Sequence, residues 1–397
     1  MTVNVGENAI VGVIGAGAMG SGIAQVAAAA GHRVVLSDAM AGATAKARDA
    51  ISAGLTRLVE KGKLDAPRRE ALLARISFAD APLAGNCSAY AKCTVVIEAV
   101  VEDAAVKRTL FAALGLVVAA DAILATNTSS LSVASIAAAA ANPARVIGMH
   151  FFNPAPVMPL VEIVPALQTG ADVTAAARAL VESWGKTAVI ASDTPGFIVN
   201  RIARPFYGES LRILEEGVAD CATIDWAMRE LGGFRMGPFE LMDFIGNDVN
   251  YAVSRSVFEG MFYDPRYRPA LTQRRLVESG RLGRKTKLGY YDYRDGAVKP
   301  GPTEDRALGR TVLDRVLTML INEAVEALAL RVASARDIDV AMTAGVNYPR
   351  GLLSWCDEIG AATVLERLDA LHAEYGDDRY RASPLLRRAA RAGSKFT

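Results

Sequence analysis

Through the first half of the chain, short apolar runs alternate with alanine-rich amphipathic stretches. The runs at 10–14, 33–37, 94–99, 122–126 and 145–150 are rich in β-branched residues, and continuous apolar character over so few positions marks strands buried on both faces. Between them, 19–30, 43–61, 104–118 and 133–141 read as helices. This alternation predicts βαβ units and a mostly parallel sheet with helices on both sides. A further pair of strands at 160–164 and 187–191 flanks a helix over about 172–184. Glu162 interrupts the first of that pair, so its carboxylate is expected either on a wet face or against another polar group. At Asp193-Thr194-Pro195-Gly196 a capping residue and a proline suited to a first turn predict a helix start, and everything beyond reads as helical.

The helical half repeats itself. Ile224-Asp225-Trp226-Ala227-Met228 and Ile338-Asp339-Val340-Ala341-Met342 lie 114 residues apart, and the same offset relates Gly237 to Gly351, Asp243 to Asp357, Gly246 to Gly360, Asn200-Arg201 to Asp314-Arg315 and Glu209 to Glu323. A fixed offset of this length is the mark of a duplicated helical unit. The expected organisation is an α/β N-terminal domain over 1–192, helical copies over 193–293 and 304–397, and a linker over 294–303.

Composition narrows the classes. With 44 basic against 43 acidic side chains and no basic block, nucleic acid and anionic membrane are not expected partners. An apolar content of 51% with 22% charged residues excludes a disordered chain. Four cysteines without a CxxC pair and only three histidines offer no zinc cluster, so no metal is expected and the chain reads as reduced and cytoplasmic. The stretch between Glu7 and His32 carries no formal charge and is long enough to span a bilayer, but glycines 12, 15, 17, 20 and 22 interrupt it and suit a turn better than a lipid-facing helix.

That turn carries the strongest motif. Gly15-Ala16-Gly17-Ala18-Met19-Gly20 follows a strand and opens a helix. In such a turn the first glycine permits the sharp bend, the second lets backbone approach a pyrophosphate, and the third lets helix and strand pack closely. Amide groups at Ala18 and Met19 then face the phosphates. Asp38 ends the second strand, where a carboxylate accepts from ribose hydroxyls and repels a 2′-phosphate, so NAD is expected over NADP. Further polar residues fall at strand ends, where open sheets bind ligands: Glu98 and Glu102, Asn127-Thr128-Ser129-Ser130, and His150, with Asn200 just inside the helical half. An imidazole there can take a hydroxyl proton near neutral pH, and a carboxylate on its other nitrogen would fix the tautomer.

The chain resembles the 3-hydroxyacyl-CoA dehydrogenase family along its whole length, through GAGAMGSG (15–22), VIEAVV (96–101), NTSSL (127–131), HFFNPAP (150–156), DTPGFIVNR (193–201), GPFELMD (237–243) and GRKT (283–286). The resemblance implies a Rossmann-type domain and NAD-dependent oxidation of (S)-3-hydroxyacyl-CoA to the 3-oxoacyl-CoA. It makes His150 the general base, Glu162 its orienting partner, and Ser129 and Asn200 hydrogen-bonding groups at the substrate. Glu102, Lys107, Ser129, Asn153 and Lys285 match positions lining the cofactor, while Lys61 and Ser129 match positions at the CoA substrate. The family's serine in the helical arm after Asp38 is replaced here by Gly54. In the second copy Asp314 stands where the first has Asn200, so no site is expected there. Arg57, Lys61 and Lys63 read either as a CoA phosphate contact or as a solvated helix end. Tyr251, Phe258, Phe262 and Tyr263 read as core before they read as an acyl tunnel.

Three alternatives stay open: a 3-hydroxyadipyl-CoA-specific enzyme of phenylacetate catabolism, a β-hydroxyacid dehydrogenase that does not use CoA, and a non-enzymatic NAD-binding protein. For assembly, the duplication is compatible with a homodimer or with a monomer containing an internal pseudo-dimer.

Overall fold

The computed structural model describes residue 6 and residues 9–80 and 87–397. Residues 1–5, 7, 8 and 81–86 of the expected first domain lie outside the described residues. The chain forms two compact units, Met1–Thr194 and Pro195–Thr397.

In the first unit, strands β1 (Ile10–Ile14), β2 (Arg33–Asp38), β3 (Ile76–Asp80), β4 (Val95–Glu98), β5 (Ile123–Thr126), β6 (Val146–Phe151), β7 (Leu160–Pro165) and β8 (Thr187–Ile190) form one sheet in the order β3-β2-β1-β4-β5-β6-β7-β8. Helices α1 (Ala18–Ala29), α2 (Ala43–Glu60), α3 (Ala66–Ala74), α4 (Ala104–Leu114), α5 (Val133–Ala137) and α6 (Ala171–Ser183) connect them. Parallel pairing runs from β3 through β6, so the carboxyl ends of β1, β2, β4, β5 and β6 share one edge. β7 turns back antiparallel to β6, then pairs parallel with β8. Val11, Val13, Val34, Leu36, Val95, Ile97, Ile123 and Ile147 are fully or almost fully buried, which is why these strands are apolar on both faces.

Two elements go beyond the hydrophobic pattern. α3 starts where Asp65 accepts the Arg68 N–H at 2.7 Å and Pro67 occupies the first turn, and β3 extends the sheet beyond β2. Asp193 does not cap a following helix. Its carboxylate instead accepts the Val133 and Ala134 N–H groups at 3.0 and 2.7 Å, filling the start of α5, and residues 195–198 form turns before the next helix.

The second unit is all-helical. Copy one comprises α7 (Val199–Ile202), α8 (Arg204–Glu215), α9 (Cys221–Trp226), α10 (Pro238–Ile245), α11 (Asn247–Gly260) and α12 (Leu271–Glu278). Copy two comprises α13 (Arg306–Ala329), α14 (Ala335–Val346), α15 (Leu352–Ile359), α16 (Ala361–Tyr375) and α17 (Pro384–Ala392). Pro205, without an N–H and crowding the preceding turn, separates α7 from α8, where copy two runs as the single helix α13.

The copies grip each other reciprocally. Arg201 meets Glu323 at 2.6 Å and Arg315 meets Glu209 at 2.6 Å; the Tyr267 and Tyr380 hydroxyls donate to the same two carboxylates at 2.5 Å. At the rim Arg268 pairs with Asp377 and Arg381 with Asp264. This exchange is the pattern of an isologous two-fold contact folded into one chain. Among the described residues no helix is long and apolar enough to cross a membrane, and all four cysteines are thiols.

Candidate active site

The glycine turn is built by steric necessity. Gly15 has φ +102°, and a Cβ there would lie 2.4 Å from the Ala99 carbonyl oxygen; a Cβ on Gly20 would strike the Gly15 carbonyl. Gly17 faces open space, where a ligand's phosphates can approach backbone. No side chain caps α1 and its first turn holds no acid, so the amides at Ala18 and Met19 and the positive end of the helix dipole suit an anion. Asp38 fixes the turn: its Oδ2 accepts the Ala16 N–H at 2.7 Å and its Oδ1 the Met40 N–H at 2.8 Å. This cradle fits a dinucleotide.

His150 stands near the end of β6, directly across the antiparallel ladder from Glu162 on β7. Its Nδ1 lies 2.6 Å from Glu162 Oε2, with Glu162 fully buried and His150 nearly so. The interruption of the apolar run at Glu162 is thus resolved as a carboxylate against another polar group. The Phe152 ring packs on the imidazole, and Asn127 Oδ1 accepts the Phe151 N–H at 2.8 Å, tying the β5 and β6 ends together.

Ser129 belongs to a loop held by Glu102, an exposed carboxylate backed by the buried Lys107 and Glu98. Glu102 Oε1 accepts from the Thr128 hydroxyl at 2.6 Å and from the Ser129 N–H at 2.9 Å. Burial raises the Glu102 carboxyl, but the Lys107 ammonium and the bonds from Thr128 and Ser129 outweigh it, and the net direction is down. Lys107, expected on the cofactor, is 1% exposed. Its Nζ is committed to Glu98 at 2.6 Å and Glu102 at 3.2 Å, because β4 and α4 enclose it; it acts on Glu102 and offers no exposed ammonium. Glu98 is the residue that sequence reasoning left without a role. Fully buried, it also accepts from the Thr126 hydroxyl and the Val100 N–H, each at 2.7 Å. Its signal was a carboxylate ending a strand, the same as that of Asp38.

Asn153 is exposed in the turn after β6; the following residues are held by Lys186, whose ammonium donates to the Ala155 and Met158 carbonyls at 2.6 and 2.8 Å. Lys61 ends α2 and is exposed, as are Arg57 and Lys63, and Gly54 has open space where a side chain would stand. In the second unit, Asn200 is half-buried on α7, and its carbonyl accepts from Arg204 Nε at 2.7 Å. Lys285 is exposed and bridges both oxygens of Asp248, at 2.5 and 2.6 Å. Phe262 and Tyr263 are not core: they are 93% and 65% exposed, because α11 ends at Gly260 and both take φ near +60°. Among the described residues no group of three or more His, Cys, Asp or Glu could hold a metal.

Comparison with known proteins places these observations. The profile of the 3-hydroxyacyl-CoA dehydrogenase NAD-binding domain matches residues 10–194, and that of the 3-hydroxyacyl-CoA dehydrogenase C-terminal domain matches 196–293 and again 312–395. A 3-hydroxyadipyl-CoA dehydrogenase of Escherichia coli K12 is 41% identical over 96% of this chain and 97% of its own. A 3-hydroxybutyryl-CoA dehydrogenase of Bradyrhizobium diazoefficiens is 42% identical over 74% of this chain and 97% of its own. The crystal structure of a 3-hydroxybutyryl-CoA dehydrogenase from Escherichia coli K12 superposes with a TM-score of 0.90 at 38% identity, covering 97% of this chain and 98% of that one.

Proposed function

The chain belongs to the 3-hydroxyacyl-CoA dehydrogenase family, and from that premise we propose that His150, oriented by Glu162, is the general base that takes the 3-hydroxyl proton of an (S)-3-hydroxyacyl-CoA. The protein is an NAD-dependent dehydrogenase of 3-hydroxyacyl-CoA thioesters. The observation that carries the residue assignment is the 2.6 Å contact between His150 Nδ1 and a buried carboxylate at the same sheet edge as the glycine turn. A carboxylate on Nδ1 favours the tautomer that carries its proton there, so Nε2 takes the substrate's proton, and the imidazolium that results is stabilised by Glu162. NAD, when bound, supplies the hydride acceptor for C3. Gly15, Gly17, Gly20 and the α1 amides hold its pyrophosphate, and Asp38 its ribose, with preference over NADP. Ser129, positioned through Glu102, and Asn200 hydrogen-bond the reacting oxygen, and Lys285 and Asn153 complete the cofactor contacts.

Replacing His150 by Gln is expected to lower kcat for NADH oxidation with acetoacetyl-CoA by about 10²–10⁴-fold, with NADH affinity by fluorescence titration close to wild type. A nearly active variant would remove the dyad. A second reading, that the acyl group ends in a carboxylate, is supported by the 3-hydroxyadipyl-CoA dehydrogenase relative, which matches along both copies; a panel over acyl length and terminal carboxylate, followed by NADH absorbance, tests it. For assembly, the reciprocal contacts between the two copies support a chain that covers this face internally.

A further inference from the structure

The duplicated unit contains its own control for what its core requires. Arg204, Asn250, Ser254 and Gln273 are all buried in copy one. The corresponding positions of copy two are Thr318, Val364 and Leu368 at the offset of 114, and Leu386 at the offset of 113 that relates Arg274-Arg275 to Arg387-Arg388 and Gly280 to Gly393; all four are buried. The helical frame therefore closes with apolar residues at three of these four places. Copy one instead maintains a polar cluster: Arg204 Nη1 donates to the Ser254 hydroxyl at 3.0 Å, Ser254 donates to the Asn250 carbonyl at 3.0 Å, and the Gln273 amide donates to Asn250 Oδ1 at 2.6 Å.

The cluster is unbalanced in charge. Arg204 is 6% exposed, and its partners are the Asn200 carbonyl, the Ser254 hydroxyl and the Tyr207 ring, all neutral. No acidic side chain lies in ion-pair range of it among the described residues. Two neighbouring arginines differ: Arg266 pairs with Asp264 at 2.8 Å and Arg268 with Asp377 at 3.1 Å. Burial pushes the Arg204 pKa down, the sign of a charge with incomplete compensation. Buried charges are paired as a rule. Beside Arg204, Ser254 and Gln273, and next to Gly208 (where copy two has Asn322), lies a cavity of about 10 Å³, room for one water-sized particle.

We propose that this cavity is a binding site for a small monovalent anion, a halide, held by the Arg204 guanidinium. Charge-assisted bonds from a buried guanidinium are the strong class, and the anion supplies the negative partner that the fold omits. Because the same side chain holds the Asn200 carbonyl, an anion here also steadies the turn that carries Asn200.

The test uses the full chain and bromide. Sodium bromide titrated against sodium gluconate at constant ionic strength is expected to give a rise in Tm that follows the logarithm of bromide concentration above Kd and reaches about 2 °C at ten times Kd, with an anomalous bromide peak beside Arg204 in crystals. Arg204→Met should abolish this rise. If that variant does not fold, the fourfold exchange Arg204→Thr, Asn250→Val, Ser254→Leu and Gln273→Leu, which copies the second core, takes its place with the same expectation. Absence of a bromide peak at Arg204, or a rise that survives these substitutions, overturns the proposal. The melting and diffraction readouts do not depend on turnover, so their failure is separate from failure of the dehydrogenase reading.

Discussion

Copies one and two of the helical unit share their load-carrying geometry and part company around Asn200. In each, an aspartate accepts two backbone N–H groups at the start of a helix: Asp225 from Phe239 and Glu240, Asp339 from Leu353 and Ser354. In each, a glycine stands where a Cβ would strike that aspartate, Gly237 and Gly351. Glu209 and Glu323 each receive an arginine and a tyrosine from the other copy. Yet Asp314, at the position of Asn200, is tied to Arg367 at 3.1 Å, and the polar cluster around Arg204 gives way to Val364, Leu368 and Leu386. Residues common to both copies hold the frame; residues peculiar to the first are those to which the ligand roles are proposed.

The reciprocal ion pairs should show the largest effect. Glu323→Ala strands Arg201 in the interior and is expected to cost about 3–5 kcal/mol in urea unfolding. Glu209→Ala should cost a similar amount, and a large inequality would show that the two-fold relation is geometric only. Next, Asn200→Ala is expected to lower kcat/KM by roughly 10²-fold, as loss of one donor at a reacting oxygen does, whereas Asp314→Ala leaves it unchanged; equal losses in steady-state assays would end the division of roles.

Asp225 gives a smaller, pH-dependent effect. Burial, acting against the bonds from Tyr291 and the Phe239 N–H, pushes its carboxyl from 3.8 up to about 7. Between those values the folded chain holds a proton that the unfolded chain has released. This group's contribution is therefore full below about pH 4 and is lost as pH rises through about 7. Asp225→Asn cannot ionise, so its Tm should decline less than wild type from pH 4 to 7.5; parallel curves would contradict the shift. The smallest effect belongs to the rim. Arg268→Ala and Arg381→Ala each remove a half-exposed ion pair and should cost at most about 1 kcal/mol by the same unfolding measurement.

Most of the first unit was legible because its signals are local. Seven strands and the glycine turn follow from apolar runs and glycine spacing, and the repeat from a constant offset. α3 and β3 escaped because they are short and the pattern around them is weakly periodic. Among the candidate site residues, His150, Glu162 and Asp38 stand at strand ends or interrupt a run, which is the local signal that singled them out. The role of Lys107 could not: a lysine on an amphipathic helix looks solvent-facing until the strand packed against that helix proves to carry a buried glutamate.

By itself the sequence determined which segments are strands and helices, where a phosphate can approach backbone, and that one helical unit occurs twice, since each of these depends on neighbours within a few turns or on simple recurrence. The tertiary structure alone decided that β7 runs antiparallel to β6, which sets Glu162 against His150; that Asp193 closes α5; that Lys107 turns inward to Glu98; and that the two copies exchange their arginines. Those outcomes depend on register and burial between residues far apart in the chain, and no local pattern carries the sign of a distant partner.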